Sequence, residues 1–287
     1  MRLIRGIAYY FVSILLVFTF IRELVWKLPG SIADLISDSE TNLQDLKTIS
    51  NTHLGQESFF SELLNFFTFN WGSSLAYKEK NLSIIWKHLH LTLYLSVLSL
   101  LLSLLLVFFM FYQDKKKMRQ LANIFLSLPA LVIFPLFVWV FCEFTSYCPA
   151  GSENIKMMLL LAAFAQALLV APRFFRELEA EVDHVLKQRF VLILRAKGLS
   201  KKRILWMHVL TNVFPAFLSL SLLTWLGFIS GSILVEALFD LPGVGALTLE
   251  ALRGRDLPLV YSLLLLLGVF HLSSLQISYL LKRRVDV

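Results

Sequence analysis

Residues 83–112 read "SIIWKHLHLTLYLSVLSLLLSLLLVFFMFY" and carry no Asp, Glu, Lys or Arg after Lys87. A helix needs roughly 20 apolar residues to cross the hydrocarbon core of a bilayer. Lipid offers no hydrogen bonds to the backbone, so such a run is a helix rather than an open strand. Similar uncharged runs recur at 121–142, 157–172, 211–235 and 257–281. The run at 157–172 reaches spanning length when Ile155 and Phe174–Phe175 join it. A further apolar segment, 6–21, follows Arg2 and Arg5. The composition agrees, with 57% hydrophobic and only 16% charged residues. Soluble domains carry about a quarter charged. The expected fold is an all-α integral membrane protein with about six transmembrane helices.

The segment 6–21 exceeds the apolar stretch of a secretory signal and no small-x-small site follows it, so it reads as a retained helix. Lys and Arg set the orientation. With the N-terminus in the cytoplasm, the inner side collects Arg2, Arg5, Lys115, Lys116, Lys117, Arg119, the basic residues of 173–203, and Lys282, Arg283 and Arg284. That is 18 of the 27 Lys and Arg, while 14 of the 20 acids fall on the outer side. The positive-inside rule therefore predicts both termini in the cytoplasm. The net charge of +7 follows from topology, with anionic lipid as partner and no nucleic acid required.

The chain divides into a first transmembrane helix (1–27), an extracytoplasmic loop (28–82) and a membrane core (83–287). The core contains a cytoplasmic loop, 176–211, and an outer loop, 236–258. Cys142 and Cys148 lie at the outer face, where they either bridge or serve as small apolar residues. In the outer loop, Pro242, Gly243 and Gly245 force a turn, and "ALTLEAL" after them reads as a short helix.

The cytoplasmic loop is the most informative. Val182, Val185, Leu186, Phe190, Ile193 and Leu194 recur at spacings of three and four, which predicts one apolar helical stripe. Gly198 after Lys197 ends that helix in the left-handed conformation. Ser200 is an N-cap for a second helix, which opens with Lys201, Lys202 and Arg203. Three cations at the positive end of a helix dipole are unfavourable. An anionic neighbour, lipid or an acidic protein groove, is therefore expected there. Two helices with a hinge exceed what a purely topological basic loop needs.

"RFVLILRAKGLSKKRILWMHVLTNVFP" (189–215) resembles the cytoplasmic loop of ATP-binding-cassette importer permeases of the dipeptide/oligopeptide/nickel type, with Arg195, Ala196, Lys197, Gly198 and Leu199 matching. Phe190 stands where that family often has Tyr, and Leu194 where it has Ala. "VEALFDLPGVGALTLEALRGRDLPLV" (235–260) is similar to the family's outer loop, through Glu236, Phe239, Pro242, Gly243, Gly245, Arg255, Asp256 and Pro258. "LPG" at 28–30, "NWGSS" at 70–74, and Arg173 with Arg176 are weaker echoes. The resemblance implies a type I importer fold in a prokaryotic inner membrane. It implies as partners a second permease, two ATPases that carry ATP and magnesium, and an extracytoplasmic binding protein. It assigns ATPase coupling to Phe190, Arg195, Ala196, Lys197, Gly198, Leu199, Lys201, Lys202 and Arg203. A gate or binding-protein contact falls to Glu236, Asp240, Pro242, Gly243, Gly245, Arg255 and Asp256, with Arg253 beside them. It implies import of di- or oligopeptides, or of nickel or a metal chelate, by a chain with no catalytic residues or cofactor of its own.

The sequence contains no Gly-x4-Gly-Lys-Ser/Thr phosphate cradle, so this chain does not hold ATP through that motif. Neither His-Glu-x-x-His nor Gly-x-Ser-x-Gly occurs. A secondary transporter would show repeats and midplane carboxylates; a membrane scaffold using the basic loop for lipid or partner binding is the other alternative. His271 is the ionisable residue set well inside a span, and reads as a neutral hydrogen-bonded imidazole. His88 and His90 read as interfacial, and Met157 and Met158 as packing.

Overall fold

In the computed structural model, residues 2–27, 59–145 and 154–283 are described. The helices are α1 (Arg2–Trp26), α2 (Phe59–Phe67), α3 (Asn81–Tyr112), α4 (Lys115–Ser127), α5 (Ala130–Thr145), α6 (Ile155–Leu186), α7 (Arg189–Ala196), α8 (Lys201–Ile204), α9 (Leu210–Leu238), α10 (Val244–Arg253) and α11 (Leu257–Arg283). A single π turn, Leu205–Val209, joins α8 to α9. Among the described residues the only extended pairing is an isolated bridge between Ser73 and Lys80.

Among the described residues, four helical stretches are long and apolar enough to cross a membrane: α3, α6, the continuous run Lys201–Leu238, and α11 over Leu257–Ser278. A fifth arises if the bent pair α4 and α5 is one span. The sequence count is six, and its first span falls on α1. The span expected over 121–142 is not straight. Leu128 adopts φ −95° and ψ 132°, and the helices on either side meet at 106°. Pro129 is the cause, because the residue before a proline is pushed out of the helical region.

Pro172 and Pro215 have the opposite outcome. Each sits inside a helix, where a missing N–H costs one bond but need not end a helix whose neighbours hold it. Span four therefore continues far past its apolar run, to Leu186.

The chain forms two compact units. One comprises residues 1–92 and 242–272. Its core is aromatic: Phe18 of α1 is buried and meets Phe59 and Phe66 of α2 and Tyr261 of α11 at centroid distances of 5.7, 5.8 and 6.2 Å. Arg22 donates to Glu62 at 2.6 Å beside it. Gly268 of α11 faces α1 so closely that a Cβ there would lie 2.9 Å from Val17 Cγ1. Asn81, fully buried at the start of α3, donates to the Trp71 and Pro258 carbonyls and to Ser262 Oγ.

The other unit comprises residues 93–241 and 273–287. Its spine is α6, where Ala162, Ala163, Ala165, Ala167 and Ala171 are all buried. Small side chains let helices approach closely where lipid removes the hydrophobic drive for association. Side-chain hydrogen bonds cross between helices there. Ser99 donates to Gln166 at 2.7 Å, Trp225 to Ser96 at 3.0 Å, and Ser219 pairs with Ser278.

Candidate functional site

The cytoplasmic loop of the sequence reading is folded as a small, separately packed corner of the second unit. Its buried residues are Val182 and Val185 from α6, Val191 from α7, Ile204 from α8, Val209 from the π turn and Val213 from α9. Each such side chain fully removed from solvent contributes roughly 1.5–3 kcal/mol. Phe190, Leu194 and Leu199 pack on the same cluster from the side.

The single helix expected through 182–194 is two helices. α6 stops at Leu186, and Gln188, with φ −68° and ψ 151°, is extended before α7 begins. The break resets the helical phase. Ile193, expected on the inward stripe, is 56% exposed instead, while its neighbour Val191 is fully buried. Leu192 is exposed as well, and so are Arg195, Ala196 and Lys197. The outward face of α7 thus carries Leu192, Ile193 and Ala196 next to two cations. The sequence signal for this face was the polar triplet Lys187–Gln188–Arg189, which separates two apolar segments.

Gly198 closes α7 as expected. Its φ is +79°, a left-handed value that glycine adopts without the Cβ penalty. Gly198 N–H donates to Arg195 O at 3.0 Å, and Leu199 N–H donates to Leu194 O at 3.3 Å. These two bonds make a Schellman end, and Leu194 and Leu199 supply the apolar contact that accompanies it. Ser200 Oγ then accepts from Arg203 N–H at 3.4 Å, the predicted N-cap. Lys201, Lys202 and Arg203 all point outward in the first turn.

The second helix does not end after its basic first turn. It runs on through the π turn, where Leu210 N–H reaches Leu205 O, into α9. Thr211 Oγ1 and Asn212 Nδ2 donate to the Met207 and His208 carbonyls, at 2.9 and 2.8 Å. These bonds reinforce the irregular turn. Lys201, Lys202 and Arg203 therefore lie at the head of a helical run that continues to Leu238.

The outer-loop residues have diverse settings. Glu236 is buried within α9, not in a loop. Asp240 is exposed with φ +51°, and Pro242 is exposed. Gly243 and Gly245 are buried around the start of α10, where Val244 N–H donates to Thr92 Oγ1 at 2.8 Å. Arg253 and Arg255 are exposed. Asp256 is not a solvated charge, being 2% exposed. It accepts from Ser74 Oγ, from Ala76 N–H at 3.2 Å, and from Leu259 N–H at 3.3 Å at the head of α11. Tyr77 in the same segment donates to Glu250 at 2.7 Å. Desolvation first, and the Glu250 hydrogen bond second, push the Tyr77 phenol up to about 12.

His271 lies on an exposed side of α11. His88 Nδ1 contacts the Ile84 carbonyl one turn back, at 2.8 Å. Met157 is partly exposed and Met158 buried. Cys142 is disulfide-bonded, while Cys148 and the "LPG" at 28–30 lie outside the described residues. Among the described residues no group of three or more His, Cys, Asp or Glu is arranged to hold a metal ion.

The family described as "binding-protein-dependent transport system inner membrane component" matches residues 115–287, which covers α4 through α11 and with them the whole packed corner of residues 182–213. The chain is 33% identical over 144 residues to the oligopeptide transport system permease protein OppB of Salmonella typhimurium, covering 49% of this chain and 47% of that protein. The chain thus spans about half the length of that relative. It is 26% identical over 242 residues to the dipeptide transport system permease protein DppB of Lactococcus lactis, covering 80% of this chain and 79% of that protein. A putative peptide transport system permease of Brucella abortus is 29% identical over 148 residues, with 51% and 47% covered. With its apolar helices, this places the protein in the inner membrane as a multi-pass chain. The chain belongs to the family of inner membrane components of binding-protein-dependent transport systems.

Proposed function

We propose that this chain is the transmembrane permease subunit of an ATP-driven importer for di- or oligopeptides. It forms the translocation path with a second permease and takes its power stroke from separate ATPases through residues 190–203. ATP and magnesium belong to those ATPases, and an extracytoplasmic binding protein delivers the substrate.

One observation supports this reading above others. α7 is held against α6 and α9 by a buried cluster, yet it turns Leu192, Ile193 and Ala196 outward beside Arg195 and Lys197. An exposed apolar face with a charged rim on a rigidly mounted short helix suits a groove on a protein partner. Because Val191 of α7 is packed on the same buried cluster as Ile204, Val209 and Val213 of the run that continues into the span, a displacement of α7 is carried into it. A ligand shifts such an equilibrium only through different affinities for its two states. ATP closing the ATPase pair supplies that difference. Peptide as the cargo rests on the names of the relatives.

The test is purification of the assembled complex in mild detergent, with wild type beside the double variant Leu192→Asp, Ile193→Asp. Wild type brings down ATPase subunits and supports ATP-dependent peptide uptake in vesicles, and the double variant loses both while remaining folded. Wild type free of ATPase subunits overturns the reading in favour of a scaffold or secondary transporter. Uptake of nickel or a metal chelate in place of peptide overturns the choice of cargo alone.

A further inference from the structure

By sequence α2 belongs to the segment between the first two spans, yet its packing sets it at the depth of the spans themselves. It rests on Phe18 of α1, through Phe59 and Phe66. Phe18 precedes Trp26, the last residue of α1, by eight positions, roughly 12 Å of helix. Phe18 also meets Tyr261, four residues inside the span that begins at Leu257. Its neighbour Val17 faces Gly268, the twelfth of the 22 residues of that span. α2 is therefore lodged beside the half of α11 that begins at Leu257, the outer half by the distribution of Lys and Arg, and not beyond the helix ends. On the side of α1 that carries Phe18, Leu15 and Phe11 follow three and seven positions earlier, apolar and exposed. α2 thus sits at the top of a lipid-facing strip of α1.

Helical phase divides α2 in two. Phe59, Glu62 and Phe66 turn toward α1. Phe60, Leu64 and Phe67, at spacings of four and three, share the other side and are 74%, 65% and 52% exposed. Glu62 is the only charged residue of α2, and its side chain is turned inward onto Arg22. The outward side therefore carries no charge. The end of the helix is closed by the chain itself. Leu64 O accepts from Thr68 N–H and from Thr68 Oγ1, both at 2.9 Å. Asn65 O accepts from Asn70 N–H at 2.9 Å, and Phe66 O from Phe69 N–H at 3.3 Å and Trp71 Nε1 at 3.1 Å. Water would serve such terminal carbonyls; lipid offers them nothing, so the protein must. Past α2 the chain turns polar. Trp71 stacks on Phe66, and exposed Lys78, Glu79 and Lys80 follow. An apolar helix, a tryptophan and a charged turn follow the order of acyl chains, headgroup boundary and water.

We propose that α2 is an interfacial helix whose Phe60, Leu64 and Phe67 lie among the lipid acyl chains of the outer leaflet. Its partner is a lipid surface, met by apolar contact as in other helices that lie in the membrane plane. Trp71 marks the headgroup level. The Arg22–Glu62 pair pins α2 to α1, and each of these charges is the partner that the other needs at this depth. The segment that follows is tied to the head of α11, where Ser74 and Ala76 donate to Asp256. α2 thereby anchors the outer ends of α1 and α11 in the leaflet. The proposal rests on the membrane location of the chain and not on the importer reading.

The experiment places a nitroxide spin label at Phe60→Cys, Leu64→Cys, Phe67→Cys and Lys80→Cys, one at a time, with the unsubstituted chain as background. The full chain is purified with the subunits that accompany it in mild detergent and is reconstituted into vesicles of phosphatidylethanolamine and phosphatidylglycerol. Collision of the label with oxygen, which concentrates among acyl chains, is compared with collision with water-soluble chromium oxalate. At positions 60, 64 and 67 oxygen access is expected to exceed chromium oxalate access several-fold, and at position 80 the order reverses. If one variant does not fold, the other two on that face carry the comparison. Chromium oxalate access at 60, 64 and 67 matching that at 80 would overturn the proposal and place the face in water, open to a soluble partner or a translocation path. Low access to both reagents on that face would also overturn it, in favour of a cover by a second membrane chain or by residues 28–58.

Discussion

Leu199 N–H donates to the Leu194 carbonyl at 3.3 Å, across a glycine whose φ is +79°. That bond turns the chain from α7 into α8, and it places the two leucines on one buried cluster. An added Cβ at Gly198 would meet no atom within 4 Å. The demand for glycine is therefore conformational rather than steric. Gly198→Ala should cost about 1 kcal/mol, local to the turn, and Ser200→Ala about 1 kcal/mol through the lost cap. Amide hydrogen exchange checks this: protection should fall at 198–204 and stay unchanged in α9. Loss of protection throughout α9 would mean that the turn supports the whole span.

Val191 and Leu192 are adjacent and should behave oppositely. Val191→Ala removes fully buried methyl groups and should lower stability by about 2 kcal/mol. Leu192→Ala, at a side chain 60% exposed, should shift stability by less than about 0.5 kcal/mol. Thermal unfolding of the purified chain separates them. If Leu192 carries the partner contact, ATPase retention on a column reverses the order, with the surface change the more harmful.

Gly268 and Val17 should be coupled. Gly268→Ala forces a methyl group to within 2.9 Å of Val17 Cγ1. Overpacking of this kind costs typically about 1–3 kcal/mol. Val17→Ala in the same chain should recover most of the loss, and a double-mutant cycle on unfolding midpoints measures the recovery. Additive losses would show that the cost of Gly268→Ala does not arise from the Val17 contact.

Tyr77 predicts an alkaline transition. Its phenol is raised from the ordinary value near 10 to about 12 in the folded protein. The folded state therefore holds the phenolic proton more tightly than the unfolded chain. The stability linked to it is complete below about pH 10 and is lost as pH rises toward about 12. Tyr77→Phe removes this step along with the Glu250 hydrogen bond. The difference in phenolate absorbance between wild type and Tyr77→Phe, followed through that range, reports the titration directly. A Tyr77 component centred near pH 10 would contradict the geometry.

Much of the site was legible locally. Gly198 as a left-handed helix end and Ser200 as a cap both follow from short-range backbone chemistry, and both stand as read. The phase of α7 was not legible. A stripe drawn through 182–194 assumes unbroken helical rotation, and the extended Gln188 breaks it, sending Ile193 outward. Pro129 and Pro172 show the same limit. One bends the path and the other is absorbed into a 32-residue helix, because the cost of a missing N–H depends on what surrounds it.

The sequence alone determined that this chain is helical and lives in a membrane. Runs such as 83–112 exclude water as their solvent, and lipid leaves the backbone no partner but itself. It also determined where the basic hinged element lies. Tertiary structure decided which charges are free. Asp256 looks like an exposed loop acid, yet Ser74, distant in the chain, and Ala76 donate to it in a buried setting. Glu179 looks like one more acid in a charged loop, yet two arginines converge on it. Whether a carboxylate is solvated or encircled depends on which segments pack around it, and local sequence carries no record of that packing.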